Sequence, residues 1–186
     1  MRRALRRSPA DEDSYTRPMR LWLLRHAKSS WGDPELADHD RPLTTRGERD
    51  AARMNAYLNE KAIRPVLVVC SSALRARQTL AGVLPGLGTE FGVRIEPELY
   101  TFDAASLLER LRATPVDVAS VMLVGHNPAI QELTLLLAGR RSAHDDVEGK
   151  YPTCALAEIE LPPMAWNDVS RGVGSLTRFV TPRSLG

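Results

Sequence analysis

Two arginines and two histidines stand at the carboxyl ends of three apolar runs. Residues 20–24 lead into Arg25-His26, residues 66–70 lead through Ser71-Ser72 to Arg75, and residues 118–124 lead to His126. Open α/β sheets bind ligands outside the carboxyl ends of their strands, so such runs would bring all four side chains to one rim. That set suits a phosphoryl group. A planar guanidinium pairs bidentately with phosphate oxygens and keeps its charge at any useful pH. One histidine with a free nitrogen lone pair can attack phosphorus and hold it covalently until water removes it. The other can donate to the phosphoryl oxygens as charge redistributes in the transition state. In the first turn of a helix, Arg75 would lean back toward the N-terminus, where the backbone dipole also favours an anion. Each residue alone has a plainer use, since a histidine after a strand commonly caps or hydrogen-bonds and a helical arginine is commonly solvated. The agreement of three separate strand ends carries the reading.

Hydrophobic periodicity supplies the elements that must position these groups. Strands are predicted at 20–24, 66–70, 93–96, 118–124, 155–161 and 175–180; the β-branched run 66–70 is of the kind buried on both faces. A helix over 45–61 gathers Ala51, Ala52, Met54, Tyr57 and Leu58 on one face and leaves Arg46 and Arg49 outside. Further helices are predicted at 73–84, capped by Ser71 or Ser72, at 104–111, and at 129–137, with Asn127 as N-cap, Pro128 as first helical residue and Gly139 as the stop. Residues 27–44 and 140–152 read as polar loops. The alternation predicts a three-layer α/β/α architecture around a mostly parallel central sheet of about five to six strands.

With 186 residues, 43% hydrophobic and 26% charged, the chain is expected to form a single domain over 19–186 behind a flexible tail at 1–18. Arg2, Arg3, Arg6, Arg7 and Arg17 against Asp11, Glu12 and Asp13 account for the whole net charge of +2. The neutral body speaks against a nucleic-acid partner. The tail has no apolar segment of a secretory signal, and Met19, directly before the first apolar run, is an alternative start. No run approaches the roughly 18–20 apolar residues of a membrane span. Cys70 and Cys154 follow no disulfide or zinc spacing. A monomeric cytoplasmic protein is expected, with no metal, no cofactor and no membrane partner.

Three segments also resemble a known family. Leu23-Leu24-Arg25-His26-Ala27 resembles its RHG box with Ala in place of Gly, Ser71-Ser72-Ala73-Leu74-Arg75-Ala76-Arg77-Gln78-Thr79 its S-x-x-x-R-x-x-x-T segment, and Val124-Gly125-His126-Asn127-Pro128 its GHNP box. The string Asp38-His39-Asp40-Arg41-Pro42-Leu43-Thr44-Thr45-Arg46-Gly47 strengthens the match. The family is the histidine phosphatase (phosphoglycerate-mutase-like) superfamily, in its short SixA-type phosphohistidine phosphatase branch, and the likeness runs from about 19 to 181. It implies His26 as phospho-acceptor, Arg25 and Arg75 as phosphate clamps, and His126 as second histidine of the pocket. Leu43-Thr44 to Gly47 would open the first long helix, and Ala27 would crowd the backbone near the phosphate.

The same resemblance bears on substrate. Relatives acting on alkyl phosphates supply a leaving-group acid after an L-x-E segment, and here Glu98-Leu99-Tyr100 puts Tyr100 where that Glu is expected. Asp33, Asp38, Asp40 and Asp103 are alternative carboxylates, of which Asp33 and Asp103 are taken as candidate proton donors. An alkoxide is a strongly basic leaving group, whereas imidazole, with a reference pKa of about 6.5, departs readily. A site without a dedicated acid therefore favours phosphohistidine, as on a histidine-containing phosphotransfer domain, or activated aryl esters, over alkyl phosphates. Lys28 and Arg41 on the pocket rim would touch an acidic partner. The rival readings are a small-molecule phosphomonoesterase or mutase of the same superfamily, and a noncatalytic phosphoprotein-binding module. Gly86-Leu87-Gly88 misses the dinucleotide fingerprint spacing.

Overall fold

A computed structural model describes residues 18–138 and 144–185. The tail expected at 1–18 and the helix stop expected at Gly139 therefore lie outside the described residues, apart from Pro18. Strands β1 (Met19–Arg25), β2 (Leu67–Ser71), β3 (Gly92–Glu96), β4 (Ser120–Gly125), β5 (Leu156–Leu161) and β6 (Ser175–Val180) form one 6-stranded sheet in the order β3-β2-β4-β1-β5-β6. The first four strands run parallel, and β5 is antiparallel to both its neighbours.

Strand pleating explains why the central runs are continuously apolar, since successive side chains point to opposite faces and both faces are covered. In β1, Leu21 and Leu23 enter one core while Trp22 and Leu24 enter the other; in β4, Val121 and Leu123 divide from Met122 and Val124 in the same way. Helices α1 (Thr45–Glu60) and α2 (Leu74–Val83) cover the second face through Met54, Leu58 and Leu80. Helices α3 (Ala104–Arg112) and α4 (Ala129–Leu137) cover the first through Leu107, Leu111, Ile130 and Leu133. Truncating the fully buried Leu23 to alanine would cost about 2–5 kcal/mol, the usual penalty for an aliphatic core deletion.

Helix α1 starts as its sequence dictates. The Thr44 hydroxyl accepts from the Gly47 amide at 3.1 Å, a cap worth about 1 kcal/mol. At Gly47 a β-carbon would lie 2.3 Å from the Lys28 carbonyl oxygen, so only glycine lets the helix close on the loop that follows β1.

Three local expectations need correction. Pro128, not Asn127, is the N-cap of α4, and the Asn127 amide donates instead to Gln131 Oε1 at 3.0 Å. The N-cap of α2 is Ala73, and both preceding serines bond to histidines. A short helix, α5 (His144–Gly149), stands within the segment read as loop; its single large apolar residue, Val147, gives no helical period. No helix among the described residues is long and apolar enough to cross a membrane.

Candidate active site

Strand register brings the two histidines together. Arg25 of β1 pairs with Gly125 of β4, so His26 and His126 leave adjacent strands side by side, with ring centroids 5.0 Å apart. The His26 Nδ1 lies 2.7 Å from the Ala27 carbonyl oxygen. A carbonyl only accepts, so Nδ1 carries the proton of the neutral ring and Nε2 keeps the lone pair. Arg75 Nε donates to that Nε2 at 3.3 Å. Three of the four residues singled out from the sequence are thus linked by ring contact or hydrogen bond.

Burial decides the protonation of both rings. Desolvation pulls His26 down to about 4, and the cations of Arg75 and Arg25 push the same way against the Ala27 carbonyl. His126 falls to about 3, chiefly by desolvation and then by His26 and Arg75. Both imidazoles are neutral at pH 7. His126 Nε2 contacts the Ser71 hydroxyl at 2.8 Å, while its buried Nδ1 has no hydrogen-bond partner among the described residues. Arg25 reaches the Tyr151 carbonyl oxygen through Nη1 at 2.6 Å, and its buried Nε has no partner among the described residues. A buried donor without a partner, such as the Arg25 Nε–H, is rare and suits an anion.

Asp38 is the carboxylate that meets the site. Its Oδ2 accepts from Arg75 Nη2 at 2.9 Å and from the Tyr100 hydroxyl at 2.6 Å. The Tyr100 hydrogen bond, followed by Arg75, holds the Asp38 carboxyl below its usual range, and Asp38 in turn raises the tyrosine. Tyr100 also lies edge-on to His126 with centroids 5.3 Å apart, and Phe102 stands 5.9 Å from His126. His39 bridges Asp40 and the Ser72 hydroxyl at 2.9 Å each.

Neither candidate donor from the sequence joins this group. Asp103 is the N-cap of α3, accepting from the Ser106 amide and hydroxyl at 2.8 Å each, and those bonds lower its pKa. Asp33 lies exposed in the loop and accepts from the Glu35 amide at 3.0 Å. Of the two rim cations, Lys28 is exposed, whereas Arg41 stacks 3.7 Å over the Trp31 ring and lies 3.5 Å from Asp38.

Other residues hold the frame. The Thr79 hydroxyl accepts from the Ala27 amide, and Ala27 is buried in the core on the α1 side. Cys154, with φ of 60°, aims one amide at the carbonyls of both Arg25 and His26. A positive φ in a buried non-glycine residue is strained, and such strain gathers at functional sites. Nothing in the sequence around Cys154 announced it. Among the described residues, no group of three or more His, Cys, Asp or Glu could hold a metal ion.

Residues 21–105 match the histidine phosphatase superfamily (branch 1). The uncharacterized protein Rv1276c of Mycobacterium tuberculosis is 33% identical over 164 residues, covering 86% of this chain and 100% of that one. The phosphohistidine phosphatase SixA of Escherichia coli is 30% identical over 148 residues, covering 77% of this chain and 86% of that protein. The solved structure of the protein histidine phosphatase SixA complexed with tungstate superposes with a TM-score of 0.74 at 26% identity, covering 90% of this chain and 100% of that one.

Proposed function

The chain belongs to the histidine phosphatase superfamily and has its phosphoglycerate-mutase-like fold, and on that premise we propose that it is a protein phosphohistidine phosphatase with His26 as the phosphate acceptor. The carrying observation is the state of one ring: His26 Nδ1 is bonded to a carbonyl, Nε2 keeps its lone pair, and burial keeps the imidazole neutral. That nitrogen attacks phosphorus, and the bond to the leaving group breaks with its electron pair going to the leaving atom. Arg25, Arg75 and His126 bind the phosphoryl oxygens and stabilise the charge that gathers on them. Water then attacks the phosphorus of phospho-His26, the P–N bond breaks with its pair returning to Nε2, and inorganic phosphate departs carrying the water's oxygen and both its protons.

The substrate reading rests on acid chemistry. Asp38 bonds to a cation and a phenol that favour its charged form, and Asp103 is a helix cap, so neither is suited to protonate an alkoxide. A phosphorylated imidazole protonated on its second nitrogen leaves as neutral imidazole and needs no such donor. Charge neutralisation comes from guanidinium groups, so the reaction runs without a divalent ion. A relative's complex with tungstate, a tetrahedral oxyanion, supports an anion pocket of phosphate shape here.

The deciding experiment incubates the protein with a radiolabelled phosphohistidine-bearing phosphotransfer domain. Free phosphate is released, and rapid quenching finds acid-labile label on the protein, which His26→Ala loses. Binding of the phosphorylated domain without phosphate release would overturn the enzymatic reading in favour of a recognition module.

A further inference from the structure

Helix α1 and the C-terminal turn Pro182–Leu185 flank an open polar cleft of about 230 Å³, lined by Arg46, Arg49, Asp50, Arg53, Pro182 and Arg183. None of these residues belongs to the catalytic group. The four from α1 recur at the i, i+3, i+4 and i+7 spacing that puts side chains on one helix face. The sequence alone reads that face as solvated. The structure keeps all four arginines exposed and adds a wall beside them: Pro182 is buried and Leu185 packs against the core on the α1 side, which holds Arg183 opposite the helix.

The charges lining the cavity do not balance. Asp50 is only 5% exposed and stands 3.6 Å from Arg46 and 3.9 Å from Arg53, whereas Arg49 and Arg183 have no hydrogen-bond or ion-pair partner among the described residues. Four guanidinium groups against one carboxylate leave three positive charges uncompensated. Arginines three and four apart on a helix repel one another, and an anion seated between them relieves that repulsion. Guanidinium forks match phosphate oxygens bidentately. The volume is below the roughly 300–1,000 Å³ of pockets for drug-sized ligands, which calls for a compact ligand of high charge.

We propose that this cavity binds a small polyanion of linked phosphoryl groups, of the pyrophosphate type, at a site separate from the catalytic one. Arg49 and Arg183 make the main contacts, and Asp50 holds Arg46 and Arg53 as the flanks.

The test uses the full chain carrying Arg75→Ala, so that the catalytic pocket lacks a clamp, titrated calorimetrically with pyrophosphate at physiological ionic strength. Saturable binding is expected, weakened about tenfold or more by adding Arg49→Gln and Arg183→Gln, since each removes a charge-assisted contact. Neither arginine has a hydrogen-bond or ion-pair partner to lose among the described residues, so the melting temperature should stay that of the parent. A second pair, Arg49→Lys with Arg183→Lys, keeps the charge and loses the fork; an affinity between the other two is expected. Unchanged affinity in both paired variants, absence of binding in the parent, or equal competition by sulfate at matched ionic strength would overturn the proposal.

Discussion

The Thr79 hydroxyl accepts the Ala27 amide hydrogen at 2.9 Å and donates to the Arg75 carbonyl oxygen at 2.6 Å. One buried oxygen thus ties the residue after His26 to the backbone of Arg75, whose Nε donates to the His26 ring. Thr79→Val keeps the shape and removes both bonds, leaving a buried amide unsatisfied at a cost of about 1–3 kcal/mol. We expect a lower melting temperature together with slower phosphorylation of His26. Unaltered turnover in a destabilised Thr79→Val protein would show that the hydroxyl serves folding alone.

Asp38 orients Arg75 through Nη2 while Tyr100 holds Asp38 from the other side. Asp38→Ala removes a hydrogen bond between charged groups, worth about 1.5–3 kcal/mol, so kcat/KM should fall about tenfold to a hundredfold. Tyr100→Phe removes one neutral donor and should cost less, about twofold to tenfold. If Tyr100 instead protonated the leaving group, its loss would cost more than that of Asp38, and kinetics of the two variants on one substrate separate the cases.

The pH dependence follows from burial of the two rings. His26 is reactive when neutral, and its folded value of about 4 sets the acid limb of single-turnover phosphorylation near pH 4 instead of the ordinary 6.5. Stability has the same sign. A lowered value means that the unfolded chain binds protons more readily, so stability is complete above pH 6.5 and declines as pH falls through about 4 for His26 and about 3 for His126. Urea denaturation from pH 7 to 4 measures the decline, which His26→Ala should flatten. An acid limb at pH 6 to 7 would contradict the desolvated nucleophile.

Asp103→Ala should lower the melting temperature, because α3 loses the cap it makes to Ser106, and should leave turnover unchanged. Asp33→Ala should alter neither. Loss of activity against alkyl phosphates in Asp103→Ala, with the fold intact, would restore that carboxylate as a proton donor.

Activity should survive exhaustive EDTA treatment, since Arg25 and Arg75 supply the positive charge at phosphorus. Full loss on chelation, regained with one divalent ion, would contradict this.

The sheet and its helices were legible because each depends on local pattern. The runs at 20–24, 66–70 and 118–124 are apolar on both faces, and α1 repeats with helical period, so their ends came within a residue or two. The linked histidines and Arg75 followed from where those strands end. Asp38 was only one loop acid among several, because its contacts to Arg75 and Tyr100 span 37 and 62 residues and no spacing rule reaches across a loop. Cys154 was hidden for another reason: its contribution is a backbone amide, which any residue type carries.

The residues proposed to act on phosphorus stand at or just beyond the ends of β1, β2 and β4, three neighbours in the middle of the sheet, whereas Trp31, Asp38, Tyr100 and Phe102 come from connecting segments outside the strands. Changes in those segments can recruit new leaving groups while the bond-breaking apparatus stays put. On that division the margins can be reshaped without moving the strand ends at the centre.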